Sequence, residues 1–121
     1  MAKGDDIEDR LIKFAVRVIH LCRKLPKDDF AVDHMKKQLI RSATSPAPNY
    51  AEARGAESTN DFIHKLKIAL KELNETRVWL KMMIQAEFVK EKQMNALLDE
   101  CDQLCRILST SIHTARTRQK S

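Results

Sequence analysis

One stretch of this sequence leaves little freedom to its fold. Between residues 62 and 83, Phe62, Leu66, Ala69, Leu73, Thr76, Leu80 and Met83 recur in steps that alternate four and three. Only an α-helix gathers such a set on one face, because about 3.6 residues make a turn, and a stripe so apolar must be buried against other helices. Ser58 is placed to cap the start of this helix, with Asp61 at the capping-box position three residues on.

Three more stripes supply its neighbours. Ile7, Leu11, Phe14, Val18, Cys22 and Leu25 form the first, preceded by Asp5 and Asp6, which favour a helix start, and stopped by Pro26. Beside it runs a shorter set, Ile12, Val16 and Ile19, so this helix is apolar over a wider arc than a monomer needs. The next begins near Asp28 or Asp29 and carries Val32, Met35, Leu39, Ala43, Pro46 and Tyr50. A proline inside an exposed helix costs about 3 kcal/mol in lost hydrogen bonding and crowding. The apolar period nevertheless runs on through Tyr50, which predicts one helix kinked at Pro46, with Gly55 as its C′ residue. Met94, Leu97, Cys101, Leu104, Leu108 and Ile112 make the last stripe. The expected helices span about 6–25, 29–54, 59–87 and 91–117, within a single domain 1–121. Short connections between long helices imply antiparallel neighbours, hence an all-α, up-down-up-down four-helix bundle.

Composition removes the alternatives. Two glycines and three prolines in 121 residues are too few for an all-β fold or a phosphate-cradling glycine loop. Cys22, Cys101 and Cys105 are odd in number and form no Cys-x-x-Cys pair, so they read as small buried hydrophobes in a reduced compartment. The opening MAKGDDIEDR is acidic where a secretory signal would be basic, and no run approaches the ~18 apolar residues of a membrane span. A cytoplasmic protein is expected.

Catalytic and metal chemistry find no foothold. A di-iron bundle needs repeated Glu-x-x-His; the nearest match is Asp61-x-x-His64, at a helix start where Asp61 already has a capping role. Ser42, Ser45 and the histidines have no glycine turn to expose a nucleophile. No enzyme activity, cofactor or metal is expected. Two constellations remain. Gln38, Ser42, Ser45, Asn49 and Glu52 form a polar seam down the second helix, with Glu72, Asn74, Glu75 and Arg77 available from the third. Free of Lys, unlike the solvated faces elsewhere, this seam reads as a buried hydrogen-bonded network. Glu52 and Glu72 are expected to be buried on Arg41 or Arg77. The second constellation is basic. The net charge is +5, and after Asp102 the sequence carries Arg106, Arg116, Arg118 and Lys120 with no acid. These four are candidates for phosphate contact, the last three on an end expected to fray; Lys67, Lys71 and Lys81, on one face of the third helix, are the alternative.

The run QLIRSATSPAPNYAEARGAES, residues 38–58, followed by DFIHKLKIALKELNETRVWL, residues 61–80, resembles the four-helix-bundle family named after proteins encoded in intervening sequences of bacterial 23S rRNA genes. Gln38, Leu39, Arg41, Ser42, Ser45, Pro46, Asn49, Glu52, Phe62, Leu66, Ala69, Glu72, Leu73 and Glu75 carry the resemblance. It implies an antiparallel bundle and a ring-like homopentamer. It also implies kinship with the accessory proteins of diversity-generating retroelements, which partner a reverse transcriptase and bind nucleic acid. The expectation is therefore a non-enzymatic, homo-oligomeric helical module that contacts RNA, DNA or a nucleoprotein through basic surface. The alternative is a protein–protein scaffold with no nucleic-acid role.

Overall fold

The computed structural model describes residues 3–120. Five helical segments, α1 (Lys3–Lys24), α2 (Phe30–Thr44), α3 (Pro46–Arg54), α4 (Thr59–Gln85) and α5 (Glu91–Lys120), build four rods, because α2 and α3 are two lengths of one. The single residue between them, Ser45, keeps right-handed helical angles (φ −76°, ψ −37°). Pro46 and Pro48 have no N–H to donate, and the ladder resumes at Asn49, whose backbone N–H reaches the Ser45 carbonyl at 3.3 Å. The Asn49 side-chain amide adds bonds to the Ser45 carbonyl at 3.0 Å and to Ser45 Oγ at 3.1 Å. The expected kink is thus a two-proline joint fastened by an asparagine.

The apolar stripes become the core nearly residue for residue. Leu11, Phe14, Val18, Leu39, Leu66, Leu73, Leu80, Met83, Leu104 and Leu108 are all essentially sealed from solvent. At the start of α4 it is Ile63 that is buried, while the expected Phe62 is half-buried against the core's edge. Cys22, Cys101 and Cys105 are free and buried. The Cys101 thiol is held well above the ordinary range by its hydrogen bond with Cys105 and by burial. It also lies 3.3 Å from the Leu73 carbonyl across the α4–α5 contact.

Cross-helix pairs fix the direction of each rod. Arg41 meets Glu72 and Lys65 meets Glu52, so the α2–α3 rod runs against α4. Arg77 meets Asp102 and Gln119 meets Asn60, so α4 runs against α5. Arg10 meets Glu100, Gly4 and Ile7 share a groove with Thr114, and Arg17 and His20 share one with Leu97, so α5 runs against α1. Helix α1 packs on α2, α3 and α5, and α4 packs on the same three; among the described residues the backbones of α1 and α4 stay more than 8 Å apart, Cα to Cα. They occupy diagonal corners of a square and point the same way.

Several helix ends depart from expectation. Helix α1 starts at Lys3, so Asp5 and Asp6 lie inside its first turn, where they still favour the positive end of the dipole. Gly55 does close α3, but with φ −97°, so its lack of a side chain is not what the turn requires. Helix α5 stays helical through Lys120, and Gln119 Nε2 donates to Asn60 Oδ1 at 2.6 Å, so the tail is held rather than frayed.

Candidate functional site

The polar seam resolves into separate clusters. At its centre Ser42 and Thr76 are sealed from solvent with their hydroxyl oxygens 2.9 Å apart across the α2–α4 contact. Thr76 was legible only as a member of the apolar seam of α4. Toward the surface, Arg41 bridges Glu72 (3.0 Å) and Glu75, and its Nε reaches Gln38 Oε1 at 3.4 Å. Glu75 also accepts from Trp79 Nε1 at 3.1 Å, and the Trp79 ring meets His34 edge-on with centroids 5.9 Å apart. Ser45 and Asn49 fasten the proline joint, as described.

Two expected members lie elsewhere. The Glu52 side chain is 59% exposed and pairs with Lys65 at 3.4 Å; neither Arg41 nor Arg77 reaches it. It sits in the last turn of α3 beside buried Ala53, turned toward solvent and the Lys65 ammonium rather than into the helix contact. Arg77 faces the other way, toward α5, and donates to Asp102 (3.2 Å) and Asn74 (3.0 Å). Glu72 fits its expectation, with a side chain only 14% exposed. Among the described residues no buried side-chain nitrogen or oxygen lacks a partner, so the seam is a structural fastening of α2 and α3 onto α4.

The surface carries more information than the seam. Ile12 and Val16 are 45% and 41% exposed, with Ile19 half-buried beside them, so the second stripe of α1 finds no cover within the chain. Val78 and Met82 do the same on α4, at 48% and 45% exposure. The two strips therefore sit on diagonal corners. One turn or more before its strip, α1 carries Asp5 and Asp9; one turn or more before Val78, α4 carries Lys71 and Lys67.

The basic candidates are all exposed. Lys67, Lys71 and Lys81 stand on the outward side of α4, interleaved with Val78 and Met82. Arg106, Arg116, Arg118 and Lys120 lie on the second half of α5. A groove that brings together Gly4, Ile7, Thr114 and Arg118 puts this tail beside the first turns of α1, with their Asp5, Asp6, Glu8 and Asp9. Of these acids Asp5 and Glu8 are paired with Arg54, at 2.7 and 3.5 Å, and Arg118 is the tail cation that lines the groove. Sequence reasoning passed over a third set. Lys13, Arg17, His20 and Lys24 recur at steps of four, three and four on α1 and are all exposed. The signal was there, but it lay inside a helix whose acidic first turns hid its surplus.

The four histidines, His20, His34, His64 and His113, are exposed on four different rods. No group of metal-binding side chains gathers among the described residues, and no helix among them is long and apolar enough to cross a membrane.

No curated protein matches the chain. A crystal structure of a protein with unknown function from the S23 ribosomal protein family of Bacteroides thetaiotaomicron is similar, with TM-score 0.80 and 35% sequence identity over 93% of this chain and 99% of that one. The sequence model of the 23S rRNA-intervening sequence protein family matches residues 6–110, a span that takes in α2, α3 and α4 entire and most of α1 and α5. By fold and by sequence together, the chain belongs to the family of 23S rRNA-intervening sequence proteins.

Proposed function

We propose that this protein is a non-enzymatic, self-assembling helical module that contacts nucleic acid or a nucleoprotein through its basic surface. The observation that carries the assembly is the pair of uncovered apolar strips on diagonal corners, Ile12, Val16 and Ile19 on α1 and Val78 and Met82 on α4. A strip that met its own copy would give a closed two-fold dimer; two different strips on opposite corners favour a head-to-tail contact, which closes into a ring. Since α1 and α4 point the same way, a ring axis along the rods lays α1 of one copy parallel to α4 of the next. In that register the acids before the α1 strip, Asp5 and Asp9, approach Lys67 and Lys71 before the α4 strip. The family resemblance supports five copies, and its retroelement branch supports the nucleic-acid role. Phe30, 90% exposed and outside both strips, favours the scaffold alternative, in which a further protein partner docks there.

Light scattering of the full chain at micromolar concentration tests the assembly; about five times the 14.0 kDa chain mass is expected, and a monomer would contradict it. Retention of mixed RNA and DNA at ~50 mM salt, lost steeply as salt rises, tests the nucleic-acid contact; no retention of either would leave the scaffold reading.

A further inference from the structure

We infer that nucleic acid is seated on the flank of α1 that carries Lys13, Arg17, His20 and Lys24, rather than on the α5 tail or on α4. This rests on the nucleic-acid half of the proposed function and assigns its site. The four side chains lie in one line along a rigid helix, about 16 Å from first to last at 1.5 Å rise per residue. None of them makes a hydrogen bond or ion pair with another described residue. The carboxylates across the groove are engaged, Glu100 by Arg10 at 2.6 Å and Asp99 by Gln103 at 2.7 Å. Arg10 itself is held more firmly charged by its hydrogen bond to Glu100. Asp6 and Asp9 lie a turn or more before Lys13, so the line beyond them carries no acid.

The flank is also a groove. Arg17, His20 and Lys24 stand at the rim of a channel of about 460 Å³ between α1 and α5, floored by Leu21, Met94 and Leu97. Evenly spaced, unpaired cations over a shallow trough suit a chain that carries one negative charge per unit, with His20 offering a ring face to a base. A membrane surface or a protein partner fits less well. Both need an apolar side chain to project, and on this flank the apolar residues are buried or half-buried beneath the cations. The competing sites are weaker. Arg118 of the α5 tail lines a groove at the first turns of α1 and already has a partner, and Lys67 and Lys71, at helical spacing from Val78 and Met82, stand in line with the strip proposed to meet another copy.

Binding of labelled 20-nucleotide oligo-rU and oligo-dT to the full chain, followed by fluorescence anisotropy across a salt series, tests this. The triple variant Lys13→Gln/Arg17→Gln/Lys24→Gln changes exposed residues only; melting and light scattering establish that fold and assembly persist. It is expected to weaken binding at least tenfold and to flatten the log K against log salt slope by about 2, three phosphates at ~0.7 each. The tail variant Arg106→Gln/Arg116→Gln/Arg118→Gln/Lys120→Gln is expected to change affinity less than threefold. If instead the tail variant loses most of the binding, the nucleic-acid role stands and this site falls. If the unaltered chain binds neither oligonucleotide, both fall. Polyglutamate that displaces the oligonucleotide at equal charge would mark the flank as an acidic-protein site and overturn the inference.

Discussion

At the scale of single residues, the most consequential contact is between two hydroxyls. Ser42 and Thr76 each carry one proton, yet three short contacts are available to them, to each other at 2.9 Å and to the carbonyls of Leu39 (3.3 Å) and Glu72 (2.8 Å). Either hydroxyl can therefore fall back on its own helix when the other is removed. Ser42→Ala and Thr76→Val are each expected to cost about 1 kcal/mol, and the double variant less than the sum, read from urea midpoints. Glu72 and Glu52 separate in the same assay. Glu72→Ala removes a mostly covered acceptor of Arg41, but Arg41 is half-exposed, so screening limits the loss to about 1 kcal/mol; Glu52→Ala, on an exposed pair, should stay within ~0.5 kcal/mol. Equal losses at the two would return the seam to a uniform surface. The sequence pattern placed Glu52 on the right side of its helix and at the wrong depth. Periodicity reports which way a residue faces; its depth depends on what the neighbouring rod presents there, and opposite Glu52 α4 presents the Lys65 ammonium.

At the scale of elements, the four seams were readable because each is long and regular. The end of α4 was not. Phe88 N–H reaches the Met83 carbonyl at 3.0 Å and Glu87 N–H reaches that of Ile84 at 3.0 Å, the paired bonds of a Schellman turn. The turn needs a left-handed residue, and Glu87 supplies it at φ 63° although it has a side chain. Reasoning from glycine placement looks for Gly at such a point and finds none, so the helix was expected to run on to about residue 87. Glu87→Gly should relieve the left-handed penalty and raise stability by about 1 kcal/mol, seen as a higher melting temperature with no change in helix content. A lower melting temperature would mean that the Glu87 side chain contributes more than its backbone costs. The proline joint shows the opposite balance. Pro46 interrupts the ladder, yet it is buried in the seam, and the Asn49 amide re-satisfies the Ser45 carbonyl. The burial kept the apolar period legible across the break.

At the scale of the whole molecule, two properties exist only in three dimensions. One is charge. The cations after Asp102 dominate any linear tally, but the antiparallel fold brings Arg118 to the first turns of α1 and leaves it partnered, while Lys13, Arg17 and Lys24 remain unpaired. The other is the diagonal placement of the two apolar strips. The sequence displayed the α1 strip as an arc too wide for a monomer, but Val78 and Met82 on α4 went unread until the square arrangement left them outside it. The central claim, that one copy's α1 strip meets the next copy's α4 strip, makes a distinctive demand. Val16→Asp spoils one face of every subunit and Val78→Asp spoils the other, so each variant alone should be a monomer. An equimolar mixture still offers one intact face of each kind, which permits a single junction and no ring. Light scattering of that mixture is the most direct test: the account predicts about twice the 14.0 kDa chain mass, and a mixture that stays monomeric, or a single variant that keeps the assembly of the unaltered chain, would contradict it.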